Sequence, residues 1–177
     1  MAGLVGGETD SERVFALITA ETRRRGGDLG KGLVAAIDWI SDRLPVFALN
    51  FVLVTASSLW ALRYPATHEL YVLERPAGGS VGSGAGGGLR PAGGALDARS
   101  SRIHARSAHL AERPSVIIAS ERMDDDPGWR LLDPGELLCV GPDLTVTSST
   151  PFPPVPRHLL TESDLDPVAA ASQHAHP

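Results

Sequence analysis

Pro45 constrains the fold of this chain more than any other residue, because the hydrophobic period changes across it. Before it, apolar residues recur at helical spacing; after it, they alternate. Proline has no backbone N–H to continue a helix, so a helix that reaches it ends there. Residues 29–44 carry Leu33, Ile37, Ile40 and Leu44 at that spacing, with Ala36 and Trp39 beside them. Upstream, residues 10–25 read as a first helix. Val14, Leu17 and Ile18 form its apolar stripe, Arg23, Arg24 and Arg25 suit its carboxyl end, and Gly26-Gly27 stops it. Downstream, residues 47–54 read as a strand, 55–58 as a turn, 59–64 as the return strand closed by Pro65, and 69–74 as a third strand. Two helices followed by a three-stranded antiparallel meander is an α+β pattern.

The apolar run from Val46 to Leu62 is long enough to compare with a membrane span. Asn50, Thr55, Ser57 and Ser58 interrupt it and β-branched residues alternate within it, which predicts a buried hairpin instead. With 177 residues the chain can build one core. A net charge of -5 supplies no basic patch, so neither nucleic acid nor a membrane is an expected partner. The lone Cys139 allows no internal disulfide and fits a reducing, cytoplasmic compartment. Residues 1–8 lack the charged start and apolar run of a secretory signal, so none is expected.

Residues 77–98 are dominated by Gly, Ala and Ser and bury too little apolar surface to offset their ordering entropy. They predict a disordered loop inserted between strands. They contain no Gly-Lys-Ser/Thr ending that would make a phosphate cradle. A short strand is expected at 100–106 and a buried one at 115–120, followed by an acidic loop over 121–129. Residues 136–140 and 144–147 should pair across Gly141-Pro142-Asp143. The Pro-rich and then Ala-rich residues 151–177 read as a disordered tail, leaving 1–150 as the folded region.

Chemistry-bearing residues are sparse. Thr9 followed by Glu12 is a capping box, with Gly6 and Gly7 turning the chain into the helix. Asp10 then falls in the first helical turn, where the positive end of the helix dipole favours a negative charge. A carboxylate held there either stabilises the helix only or grips a ligand ammonium group. Asp124-Asp125-Asp126 lacks the alternating spacing and central Gly of a calcium loop and reads as a solvated turn. His104, His109, His174 and His176 have no second ligand cluster, so no metal site is expected. Cys139 alternates within a strand and reads as a small core residue. No Ser-His-Asp order or nucleophile elbow is present.

Three stretches in register resemble a known family. They are Gly7-Glu8-Thr9-Asp10-Ser11-Glu12; Leu49-Asn50-Phe51-Val52-Leu53 leading to Leu59-Trp60-Ala61-Leu62-Arg63-Tyr64; and Ala119-Ser120-Glu121 with Asp125-Asp126-Pro127-Gly128-Trp129 and Pro134-Gly135-Glu136-Leu137. Together, over residues 4–148, they resemble the carboxy-terminal half of class II glutamine amidotransferases, most closely the small bacterial kind that includes the γ-glutamyl amidohydrolase of ergothioneine synthesis. The resemblance implies part of an N-terminal-nucleophile αββα sandwich. It also implies cleavage of a glutamine or γ-glutamyl amide through a cysteine thioester, with no cofactor and no metal. The family's nucleophile is an N-terminal cysteine whose own α-amino group is the base, with an Asn-Gly pair holding the oxyanion. The Asp of its Thr-Asp-Ser-Glu motif binds the substrate α-ammonium, which places that role on Asp10, with Thr9 beside it. This chain departs from the family at the nucleophile: residue 2 is Ala2, and no His-Asn-Gly stretch occurs. The expectation is therefore a chain that starts mid-domain, carries no catalytic residue, is inactive alone, and either oligomerises or joins a missing amino-terminal half. The alternative is a non-catalytic remnant or interaction protein.

Overall fold

Both helices begin at side-chain caps. In the computed structural model, which describes residues 5–7, 9–77, 96–99, 104–107 and 113–174 (without the side chains of 96–99, 104–107, 172 and 174), α1 spans Asp10–Arg24 and α2 spans Leu29–Arg43. Thr9 accepts the Glu12 N–H at 3.3 Å and Asp28 accepts the Lys31 N–H at 3.0 Å, each satisfying one of the free donors of a helix start. α1 stops before Gly26-Gly27, both at positive φ, and α2 stops before Leu44 and Pro45; each helix starts where expected and ends one residue earlier. The helices pack closely because Gly32 leaves room: a Cβ there would sit 2.7 Å from Thr22 Cα and 2.8 Å from Thr22 N. Ala16, Ile18, Leu33, Ala36, Ile37 and Ile40 are buried, whereas Leu44 is exposed.

The chain divides into two compact units, Met1–Phe47 with Pro151–Pro177, and Ala48–Thr150. The first contains α1, α2 and the segment that was expected to be a disordered tail. That expectation is corrected up to His174. Val46 N–H donates to His158 O, and Leu160 N–H donates back to Val46 O, forming a parallel bridge between Val46 and Leu159. Arg157 N–H donates to Ser41 O, and its guanidinium donates to Asp42 Oδ1 at 3.0 Å. Phe152 and Pro156 are buried. A 3-10 turn, Glu162–Asp164, precedes α3, Pro167–His174, whose first turn is capped by Asp166. Proline favours an extended chain, and an extended chain with apolar anchors can pair at its few N–H positions. Composition alone concealed those anchors.

The second unit holds the strands: β1 (Phe51–Val54), β2 (Leu59–Arg63), β3 (Tyr71–Arg75), β4 (Leu96–Arg99), β5 (His104–Ser107), β6 (Ser115–Ala119), β7 (Arg130–Leu131), β8 (Glu136–Val140) and β9 (Val146–Ser149). They form three antiparallel sheets, ordered β1-β2-β8-β9, β6-β3-β7 and β4-β5. The architecture is α+β, with helices in one unit and antiparallel sheets in the other. The expected three-stranded meander is corrected: β2 takes β8 as its second neighbour, and β3 leaves for the other sheet. Alternation identifies a strand but not its partner. Residues 64–70 form too long a connection for a tight hairpin, and they carry β3 across. β1 also begins later than expected, because Tyr64 N–H donates to the Asn50 side chain instead of to a strand carbonyl. The β8–β9 hairpin forms as expected, but β9 starts at Val146. Thr145 is held in the turn by Asp143, and Leu144 sits at φ 65.

β4 occupies the end of the stretch expected to be disordered, and β5 lies at 104–107 rather than 100–106. Residues 78–95, the rest of that expected loop, lie outside the described residues. The two larger sheets pack through Ala61, Leu70, Val72, Leu132, Leu138 and Val140, with Leu59, Val116, Ile118 and Val146 around them. Each fully buried leucine there contributes about 1.5–3 kcal/mol. On the opposite face of β3 and β6, Tyr71, Leu73, Met123 and Trp129 form a second cluster.

Candidate functional site

Asp10 is the first residue of α1, and it is exposed. Its neighbours are already committed. Thr9 Oγ1 accepts the Glu12 N–H, so the cap half of the expected box forms. The returning half differs: the Glu12 carboxylate takes the Gly6 N–H at 2.5 Å instead of the Thr9 N–H. Gly7 lies under that carboxylate, where a Cβ would come within 2.5 Å of Glu12 Oε2. Glycine at this point lets the chain wrap Glu12, and Glu12 in turn fixes the approach to the helix. The result is a carboxylate at a helix start with its flanking residues immobilised by other bonds. Such a group can accept hydrogen bonds from a ligand ammonium, although the helix dipole attracts negative charge at that end and so opposes a cation there. Thr9 can still donate its hydroxyl hydrogen to a ligand while it caps the helix.

The other two family-like stretches lie within the sheet unit, and there the polar residues hold main chain. Asn50 accepts from Tyr64 N–H at 2.9 Å and donates to the carbonyls of His68 and Glu69. Arg63, only 7% exposed, donates to His68 O at 2.9 Å, Leu132 O at 2.8 Å and Ala66 O at 3.1 Å. Glu136, its cross-strand partner, is 3% exposed. It receives both outer nitrogens of Arg130 at 2.9 Å, the Asp133 N–H at 2.7 Å and the Ser148 hydroxyl at 2.5 Å. Burial pushes the Glu136 carboxyl up, but the bonds from Arg130, Ser148 and Asp133 outweigh it and hold the group below its ordinary value. Arg130 is correspondingly raised, first by its bond to Glu136. These bonds join β7 of one sheet to β8 and β9 of the other. In the sequence Asn50 stands out as a polar break in the apolar run, whereas nothing assigns Arg63 or Glu136 a structural role. A charge at the end of an otherwise apolar strand was the available signal that Arg63 and Glu136 are buried.

The acidic loop is built around its own turn. Asp124 Oδ1 accepts the Trp129 indole N–H at 2.7 Å and the Asp126 N–H at 3.1 Å, and Asp126 accepts the Gly128 N–H at 2.8 Å. Cys139 is half-buried within β8, and burial raises its thiol pKa, which disfavours the thiolate. The side chains of His104, His109, His174 and His176 fall outside the described ones. Among the described residues, no group of three or more His, Cys, Asp or Glu side chains is placed to hold a metal ion. Among them, too, no helix is long and apolar enough to cross a membrane. Compared with protein-family models, with curated proteins and with solved structures, the chain matches none.

Proposed function

We propose that this chain carries the amino-group-binding part of a glutamine or γ-glutamyl amide site, within an N-terminal-nucleophile-type fold. Asp10 accepts the substrate α-ammonium, and Thr9 flanks it. The observation that carries the reading is the contrast among the family-like residues. Arg63 and Asn50 are occupied by main-chain groups and Glu136 by Arg130, Ser148 and the Asp133 N–H, while Asp10 is exposed at a fixed helix start. In such a reaction a thiolate attacks the γ-carbonyl, ammonia or an amine leaves, and water or an acceptor resolves the thioester. Cys139 does not fit the nucleophile: it lies mid-strand, its thiolate is disfavoured, and it has no α-amino base of its own. On this reading these residues set specificity for the glutamyl head group of a glutamine-like substrate, and the cysteine nucleophile lies outside them.

A titration of the Asp10 and Ser11 amide resonances with L-glutamine tests the reading. L-Glutamine is expected to shift both, whereas N-acetyl-L-glutamine, which lacks the ammonium group, is expected to shift neither. Equal shifts with the two compounds, or none with either, would overturn it. The second reading, a non-catalytic interaction protein, is favoured by a different observation, the open edge strand β1.

A further inference from the structure

β1 is the outer strand of its sheet, and it has a strand neighbour on one side only among the described residues. Its ladder phase is set by two bonds to the β2 side, Leu49 N–H to Tyr64 O and Thr55 N–H to Ser58 O. Phe51 and Leu53 share that phase, so the N–H and C=O groups of Val52 and Val54 point away from β2. Their side chains are also open, Val52 at 46% and Val54 at 69% exposure.

Natural edge strands are ordinarily protected by a charge, a proline or a bulge. β1 has none of these. Between Arg43 and Arg63 no residue carries a charge, and the only proline is Pro45, ahead of the strand. This bears on the identity of the partner. Two copies of a chain with net charge -5 repel each other over most of their surface, but here they can approach without setting like charge against like. Phe51-Val52-Leu53-Val54 is apolar at every position, so an antiparallel copy of itself matches apolar against apolar along the whole strand.

We propose that β1 is a self-association edge, pairing antiparallel with β1 of a second copy about a two-fold axis and joining two four-stranded sheets into one. Such an interface is isologous and closes at two copies. The paired strands are short and bury well under the ~800 Å² per partner of a standard interface, so the dimer is reversible and concentration-dependent.

Sedimentation velocity over a concentration series, with amide hydrogen exchange at the same concentrations, tests this. A monomer–dimer equilibrium is expected. The Val52 and Val54 amides should gain protection as concentration rises, while those of Phe51 and Leu53, already bonded to β2, should not change. Val54→Lys, at an exposed site, should abolish the dimer and leave the urea midpoint unchanged. A wild-type protein that stays monomeric throughout would overturn the proposal. So would assembly that persists in a folded Val54→Lys variant, or a dimer that leaves Val52 and Val54 unprotected. The exchange pattern in the wild-type protein decides the matter independently of how the variant folds.

Discussion

The helical unit and the sheet unit use charged residues in opposite ways. In the sheet unit Arg63 and Glu136 are buried, with Arg63 bonded to main-chain carbonyls and Glu136 to a main-chain N–H and to the side chains of Arg130 and Ser148. In the helical unit the charges sit at the surface: Glu21 bonds Arg24 and Arg25, Asp28 bonds Lys31, and Asp10 stands exposed at its helix start. The difference teaches how to read family-like residues. A buried Arg that collects three carbonyls holds a fold together and is not available to a substrate. A surface carboxylate contributes little to the fold, because solvent screens it, and it remains available for binding.

The sharpest way to break this comparison is to remove the buried arginine. Arg63→Met removes the guanidinium that bonds the carbonyls of Ala66, His68 and Leu132, and of these His68 O keeps the Asn50 amide. Each buried acceptor left unsatisfied costs about 1–3 kcal/mol, so a urea melt should show a large fall in midpoint or no folded baseline. A fall as small as a surface substitution produces would contradict the structural role.

The next effect is pH-dependent. Glu136 is held below its ordinary value of 4.5, so its contribution is fully present above that value and is lost as pH falls through the folded one. Stability measured by urea melts should therefore decline on acidification below that range. Glu136→Gln should lower the unfolding free energy at neutral pH by about 1.5–3 kcal/mol, the worth of hydrogen bonds to a charged group, and should flatten the acid decline. An unchanged acid slope in Glu136→Gln would assign the pH dependence elsewhere.

The helical unit gives a smaller effect, and one of unusual sign. Glycine to alanine inside an exposed helix normally stabilises by about 1 kcal/mol. At Gly32 the added Cβ would meet the backbone of Thr22, so Gly32→Ala should destabilise by about 1–3 kcal/mol, as overpacking does. A rise in thermal midpoint would show that α1 and α2 are not packed as closely as the structure places them.

Local order was largely legible in the sequence. Thr9, Gly26-Gly27 and Pro45 marked the helix limits, and Gly141-Pro142-Asp143 marked the last hairpin, because caps and turns act through residues close in the chain. What depended on distant partners was not. The period-two pattern of residues 69–74 identified a strand but could not show that it leaves β2 for β6 and β7. The anchors Phe152, Pro156 and Leu160 were hidden by a composition that suggested a tail, and their register on Val46 is a tertiary fact. At the candidate site, the cap by Thr9 was legible, but the bond from Glu12 to Gly6 was not, because it depends on how Gly6-Gly7 folds back.

The most direct measurement is a paired one on Asp10→Asn, reading L-glutamine affinity and urea midpoint in the same preparation. The substitution keeps the size of the side chain and removes its charge. A glutamine affinity at least tenfold weaker, about the 1.4 kcal/mol that a tenfold change represents, with a midpoint close to that of the unaltered chain, is the expected result. Unchanged affinity, or a loss of affinity that merely follows a loss of folding, would contradict the assignment of the ammonium site to Asp10.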